Sequence, residues 1–184
     1  MASSNPLAGI LALTNQIKDC GQNGRLLAAL TLSFVCIDTM AYLGLPSGKT
    51  TQTRTDFIAW VDRYLKAHHE QQYQCRGIDL YAARCGFLHA FSAEADLHRK
   101  DQSIYLFGYH DGGELRCQDD AKMPDGSIRK VAMIGTKSFT KDLQLAVMAF
   151  METMISDAEL RENAKARLPM VYQVMPMLNA GERA

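Results

Sequence analysis

Residues 23–43 read NGRLLAALTLSFVCIDTMAYL, and the reading of that stretch decides the fold class. Leu27, Leu30, Phe34, Ile37 and Ala41 recur at three- and four-residue steps, which is one apolar face of a helix. Asn23 suits the N-cap position, and Gly44, Pro46 and Gly48 stop the helix. The run is apolar enough to suggest a membrane span, but Thr31, Ser33, Asp38 and Thr39 interrupt it. A carboxylate near the bilayer centre is costly, so the expectation is a buried core helix and no membrane.

On either side of this helix the same period recurs. Residues 6–20 read as a first helix, with Pro6 tolerated in its opening turn and Gly21 closing it. Residues 55–68 read as a third, burying Phe57, Ile58, Val61, Tyr64 and Leu65, and residues 78–91 as a fourth. The pattern then changes. Residues 103–109 are aromatic and branched, His110-Asp111-Gly112-Gly113 supplies a turn, and residues 114–117 follow, which predicts a hairpin. A second turn at Pro124-Asp125-Gly126-Ser127 leads to a short strand over 130–135. A long helix over 140–156 carries Leu143, Val147, Phe150, Met151 and Met154 inward, and Asp157 caps a last helix that Pro169 ends. The expected fold is mainly α: an up-and-down bundle of four to six helices with a small antiparallel β appendage at about residues 103–135. Residues 1–171 are expected to form one domain with an inserted β-hairpin, and residues 172–184 a loose tail.

Composition narrows the function classes. The 184 residues are 47% hydrophobic and 22% charged, as expected of a chain with a real core. Twenty basic and twenty acidic residues give zero formal net charge. That argues against broad unspecific gripping of duplex nucleic acid, whose affinity comes from phosphate neutralisation, but leaves room for a local phosphate site. Five scattered cysteines, odd in number and without a C-x-x-C pair, suit free thiols in a reducing compartment. The opening residues lack the basic region of a secretory signal, so a cytoplasmic location is expected.

Two motifs are set aside. Gly44-Leu45-Pro46-Ser47-Gly48-Lys49-Thr50 approaches a phosphate-binding loop, but its glycine spacing is one residue short and it follows a helix instead of a strand. It reads as a helix stop and turn. Cys85 and His89 lie four apart, and His68, His69 and Cys75 lie upstream, yet only one pair has zinc-ligand spacing. No metal and no cofactor is expected.

The segment that carries chemistry is Asp79-Leu80-Tyr81-Ala82-Ala83-Arg84-Cys85-Gly86-Phe87-Leu88-His89. Leu80, Ala83, Phe87 and Phe91 form its core stripe. Arg84 and His89 lie five apart, about 140° around an ideal α-helix, flanking one edge without stacking. Gly86 costs about 1 kcal/mol of helix propensity relative to alanine, which implies close approach by another helix or by a ligand. A guanidinium can hold a phosphate through two parallel hydrogen bonds, and an imidazole can move protons near neutral pH. The structural alternative is that Arg84 pairs with a carboxylate such as Asp38 while His89 caps a helix end. The two residues alone favour that alternative.

Arg84-Cys85-Gly86-Phe87-Leu88-His89 resembles the signature of the HEPN superfamily: an arginine, four to six residues, then a histidine, late in a helix of a four- or five-helix bundle. From Tyr81 onward it resembles a group of uncharacterised bacterial members, and the resemblance extends over about residues 23–155. It implies a metal-independent endoribonuclease of a defence or toxin–antitoxin type system, acting as a homodimer on RNA with an antitoxin-like protein partner. Arg84 would stabilise the scissile phosphate, and His89 would serve as general base or acid. Active members usually carry a polar residue after the arginine, where this chain has Cys85. Silent members serve as modules that bind a nucleotide, a nucleic acid or a partner protein, which is the other reading the resemblance allows.

Overall fold

The computed structural model describes residues 7–67, 73, 75–100 and 102–171. Within them the chain is mainly helical, with one small sheet. Helix α1 (Ala8–Gln22) turns at once into α2 (Leu26–Leu43). Asn23 belongs to the end of α1, where its side-chain amide donates to the Asp19 carbonyl and carboxylate at 2.9 Å, so it does not open α2 as its cap. The left-handed residue of the turn is Gly24, φ 70°, while Gly21 stays inside α1. Leu30, Phe34, Ile37 and Ala41 are buried as expected, but Leu27 is 57% exposed, because the packed face runs along Ala29, Leu30, Ser33, Phe34 and Met40. Although α2 is long and apolar enough to cross a membrane, half of it is buried inside the chain, against α1, α3 and α6.

Helices α3 (Arg54–Trp60) and α4 (Gly77–Cys85) each run directly into a π-helical turn, Val61–Leu65 and Gly86–Ala90 respectively. A short α5 (Asp96–Arg99) precedes the strands β1 (Tyr105–His110), β2 (Arg116–Lys122) and β3 (Ile128–Gly135). Helix α6 (Thr136–Ser156) starts straight off β3, and Asp157 caps α7 (Ala158–Arg167) by accepting the Leu160 N–H at 3.0 Å. Pro169 lies in a closing 3-10 turn, Leu168–Met170.

The sheet corrects the expected antiparallel appendage. Its order is β1-β3-β2, with β3 parallel to β1 and antiparallel to β2, so no hairpin joins β1 to β2. The Pro124–Ser127 turn makes the hairpin instead, closed by the Met123 N–H on the Ser127 carbonyl at 2.8 Å. Apolar β3, with Ala132 and Ile134 buried, takes the centre, and β2, charged along most of its length, takes an edge that such charges protect from further pairing. The connection from β1 to β2 crosses the end of β3 at Gly135. A Cβ there would lie 2.7–2.8 Å from Glu114 N and Gly112 O, so the crossing needs glycine. The sheet shares the main core: Phe107, Ala132 and Ile134 cluster with Phe34, Phe87 and Phe139.

Candidate functional site

Both ends of α4 are held by carboxylates. At its start, buried Asp79 accepts the Arg76 backbone N–H (2.9 Å) and the Arg76 guanidinium through Nε and Nη2 (both 3.1 Å). Its Oδ1 also accepts the Ser103 hydroxyl (3.1 Å) and the Ile104 N–H (2.9 Å), which ties α4 to the start of β1. Burial alone would push this carboxyl up. The Arg76 guanidinium and the two backbone N–H groups outweigh it and hold the carboxyl below the usual carboxylate range.

His98 and Ser103 complete this knot, and neither was singled out in the sequence. The three residue types match a hydrolytic triad, but the proton order is wrong for one. Ala95 N–H donates to His98 Nδ1 at 2.8 Å, so Nε2 carries the ring proton and donates to the Tyr105 carbonyl at 2.7 Å. Ser103 Oγ, 3.2 Å from Nε2, gives its own proton to Asp79. No ring nitrogen is left to take a proton from the serine, and all three side chains are buried. This cluster holds the fold together.

The far end of α4 differs. Arg84 Nε and Nη2 both donate to Asp38 Oδ2, at 2.9 and 2.7 Å, and Nη1 meets His89 Nε2 at 2.8 Å. A guanidinium only donates, so His89 accepts through Nε2 and its ring proton sits on Nδ1. The expected 140° separation does not hold, because the helix passes into the Gly86–Ala90 π-turn. Bonding from i to i+5 adds a residue to the turn and brings positions five apart toward one face. His89 takes a hydrogen bond from Arg84 instead of capping the helix end.

The ion pair is partly open, with 20% of the Arg84 side chain and 24% of the Asp38 side chain exposed, and His89 lies at the surface. Partial burial works against the charged guanidinium, and the Asp38 carboxylate more than restores it. Asp38 is the lone charged residue of apolar α2, and the structure pairs it with Arg84 as the structural alternative expected. Gly86 is explained by the chain's own return. A Cβ there would lie 2.5 Å from the Ser92 carbonyl oxygen, and Ser92 N–H bonds to Gly86 O at 3.0 Å. Phe91 does not join the core stripe; it is exposed.

The set-aside motifs acquire plain roles. In the Gly44–Thr50 loop, the carbonyls of Leu45, Pro46 and Lys49 accept from the Arg167 guanidinium at 2.7–2.9 Å. Oxygens thus converge there on a cation, the opposite of a phosphate cradle. Lys49 Nζ sits 2.7 Å from both Asp56 oxygens. Among the described residues no three His, Cys, Asp or Glu side chains are grouped to hold a metal; His68 and His69 lie outside those residues. All five cysteines are free, and burial pushes the Cys75 thiol up to about 12, far from a reactive thiolate.

Compared with protein-family models, curated proteins and solved structures, the chain matches none.

Proposed function

We propose that Asp38, Arg84 and His89 form a phosphate-handling site of the HEPN kind, and that the protein is a metal-independent endoribonuclease of a defence or toxin–antitoxin type system, active in the cytoplasm. One observation carries the reading: Arg84 Nη1 and the surface imidazole of His89 meet at 2.8 Å across the π-turn. Two side chains buried in separate interiors would have removed it. A phosphate drawn to Arg84 competes for the Nη1 proton and releases the His89 Nε2 lone pair. Nε2 then takes the proton of the adjacent ribose 2′-hydroxyl. The O2′–P bond forms, the P–O5′ bond breaks, and the products are a 2′,3′-cyclic phosphate and a 5′-hydroxyl. Arg84 stabilises the charge that develops on the phosphoryl oxygens. The imidazolium formed at His89 then gives that proton to the departing O5′, and in the proposed homodimer the motif helices of the two copies line one cleft. An antitoxin-like protein would act by covering that cleft.

The test is cleavage of end-labelled RNA in EDTA. The wild-type chain cuts RNA and leaves the all-deoxy oligonucleotide intact. His89→Ala loses about 10²–10⁴ in rate and Arg84→Ala about 10²–10³. RNA left whole across a broad substrate panel overturns the ribonuclease reading.

A second reading follows from the Asp38–Arg84 pair, which neutralises the guanidinium before any ligand arrives. Under it, the site is a non-catalytic module that binds a nucleotide, a nucleic acid or a partner protein. Asp38→Asn then tightens binding of a 5′-phosphorylated nucleotide while RNA stays uncut.

A further inference from the structure

Phe91 closes the motif helix in a way that packing does not explain. Its backbone is left-handed, φ 49°, and it is the one non-glycine residue with positive φ among the described residues. Helices that end in this conformation generally place glycine or asparagine there, because a bulky side chain is strained. Phe91 is also 69% exposed as a residue, and its apolar ring meets water. Both costs fall on one position, two residues beyond His89.

The ring is nonetheless braced. Its centroid lies 5.3 Å from that of Phe87, which lies 5.9 Å from Phe34, itself 5.9 Å from Phe139 in the core. An aromatic chain thus runs from the interior to the surface and ends in a ring held on its inner side and open outward. The Ser92 N–H on Gly86 O fixes the backbone that carries it.

We propose that Phe91 is a stacking platform for a nucleobase of single-stranded RNA whose phosphate sits at Arg84, an inference that rests on the phosphate-handling reading above. Unpaired bases are recognised by stacking on aromatic side chains, and each stacked base contributes substantially whatever its identity. With zero net charge and Asp38 already on Arg84, phosphate neutralisation supplies little affinity, so base stacking carries the larger share.

The experiment measures fluorescence anisotropy of a short labelled oligouridylate in EDTA, using the full-length His89→Ala protein so that RNA stays intact. Adding Phe91→Asn weakens binding about tenfold, whereas Phe91→Trp keeps it. The same Phe91→Asn change relieves backbone strain and raises the melting temperature by about 2–4 °C, so lost binding is not lost folding. A chain of abasic ribose phosphates binds both proteins equally. Equal RNA affinity with and without Phe91 overturns the stacking inference and leaves the Arg84–His89 reading standing. Failure of the parent protein to bind RNA at all overturns both. Conversion of a dimer to monomer by Phe91→Asn assigns the ring to contact between copies and likewise overturns the inference.

Discussion

The two ends of α4 use the same chemistry, an arginine on a carboxylate beside a histidine, for opposite purposes. At the Arg76–Asp79 end the carboxylate is fully buried, both its oxygens are taken, and His98 has its two nitrogens committed to the backbone. At the Asp38–Arg84 end the same groups stand partly in solvent, and the lone pair of His89 is held by a partly exposed guanidinium instead of by the backbone. Composition does not separate a structural knot from a candidate site. What separates them is whether the backbone or an exchangeable side chain holds each group and whether solvent reaches it.

The two π-turns repeat the lesson. Val61–Leu65 sends Val61, Tyr64 and Leu65 inward, while Gly86–Ala90 buries Gly86 and Phe87 and leaves His89 and Ala90 outside. The same widened turn serves packing in one place and presents a side chain in the other.

Four measurements test this contrast. Asp79→Ala leaves the Ile104 N–H, the Ser103 hydroxyl and part of the Arg76 charge without their partner, and is expected to lower stability by about 3–5 kcal/mol in urea unfolding. A loss under about 1 kcal/mol would put both ends of α4 in one class. Gly86→Ala drives a methyl against the Ser92 carbonyl and should cost about 1–3 kcal/mol, with a chemical-shift change at His89 as the turn adjusts. A neutral result would mean that residues 92–94 do not pin the π-turn.

Acid provides the third test. The Asp79 carboxyl is held below its unfolded value, so its contribution is complete above about pH 4 and fades as the pH falls through the folded value. Urea midpoints should therefore drop below about pH 4 in the wild type, with a shallower drop in Asp79→Asn. Equal slopes would remove Asp79 from the account of acid stability. The smallest effect is expected at the exposed end: His89→Ala should change unfolding free energy by no more than about 0.5 kcal/mol. A large loss there would place His89 among the structural residues with His98.

Much of the fold was legible in the sequence, since helices and strands announce themselves through side-chain period. The stripe of α6 and the cap at Asp157 needed no tertiary knowledge. Strand order was not legible. The Gly112–Gly113 turn looks like a hairpin, and only the bare Cα of Gly135, which lets the chain cross the end of β3, reveals the mixed sheet. At the candidate site the pairing of Arg84 with Asp38 was within reach of the sequence, but the contact between Arg84 and His89 was not. An α-helical projection keeps Arg84 and His89 apart.

Period and chemical type are carried by the residues themselves, so the long helices, the apolar strands β1 and β3 and the side chains able to do acid–base or phosphate work could be read there. The charged strand β2 beyond residue 117 and the short α5 could not. Tertiary structure alone decided that β3 lies between its neighbours and that an arginine and a histidine five positions apart touch. Strand neighbours and a shift from i+4 to i+5 bonding depend on what packs around a segment, and local spacing carries no record of that.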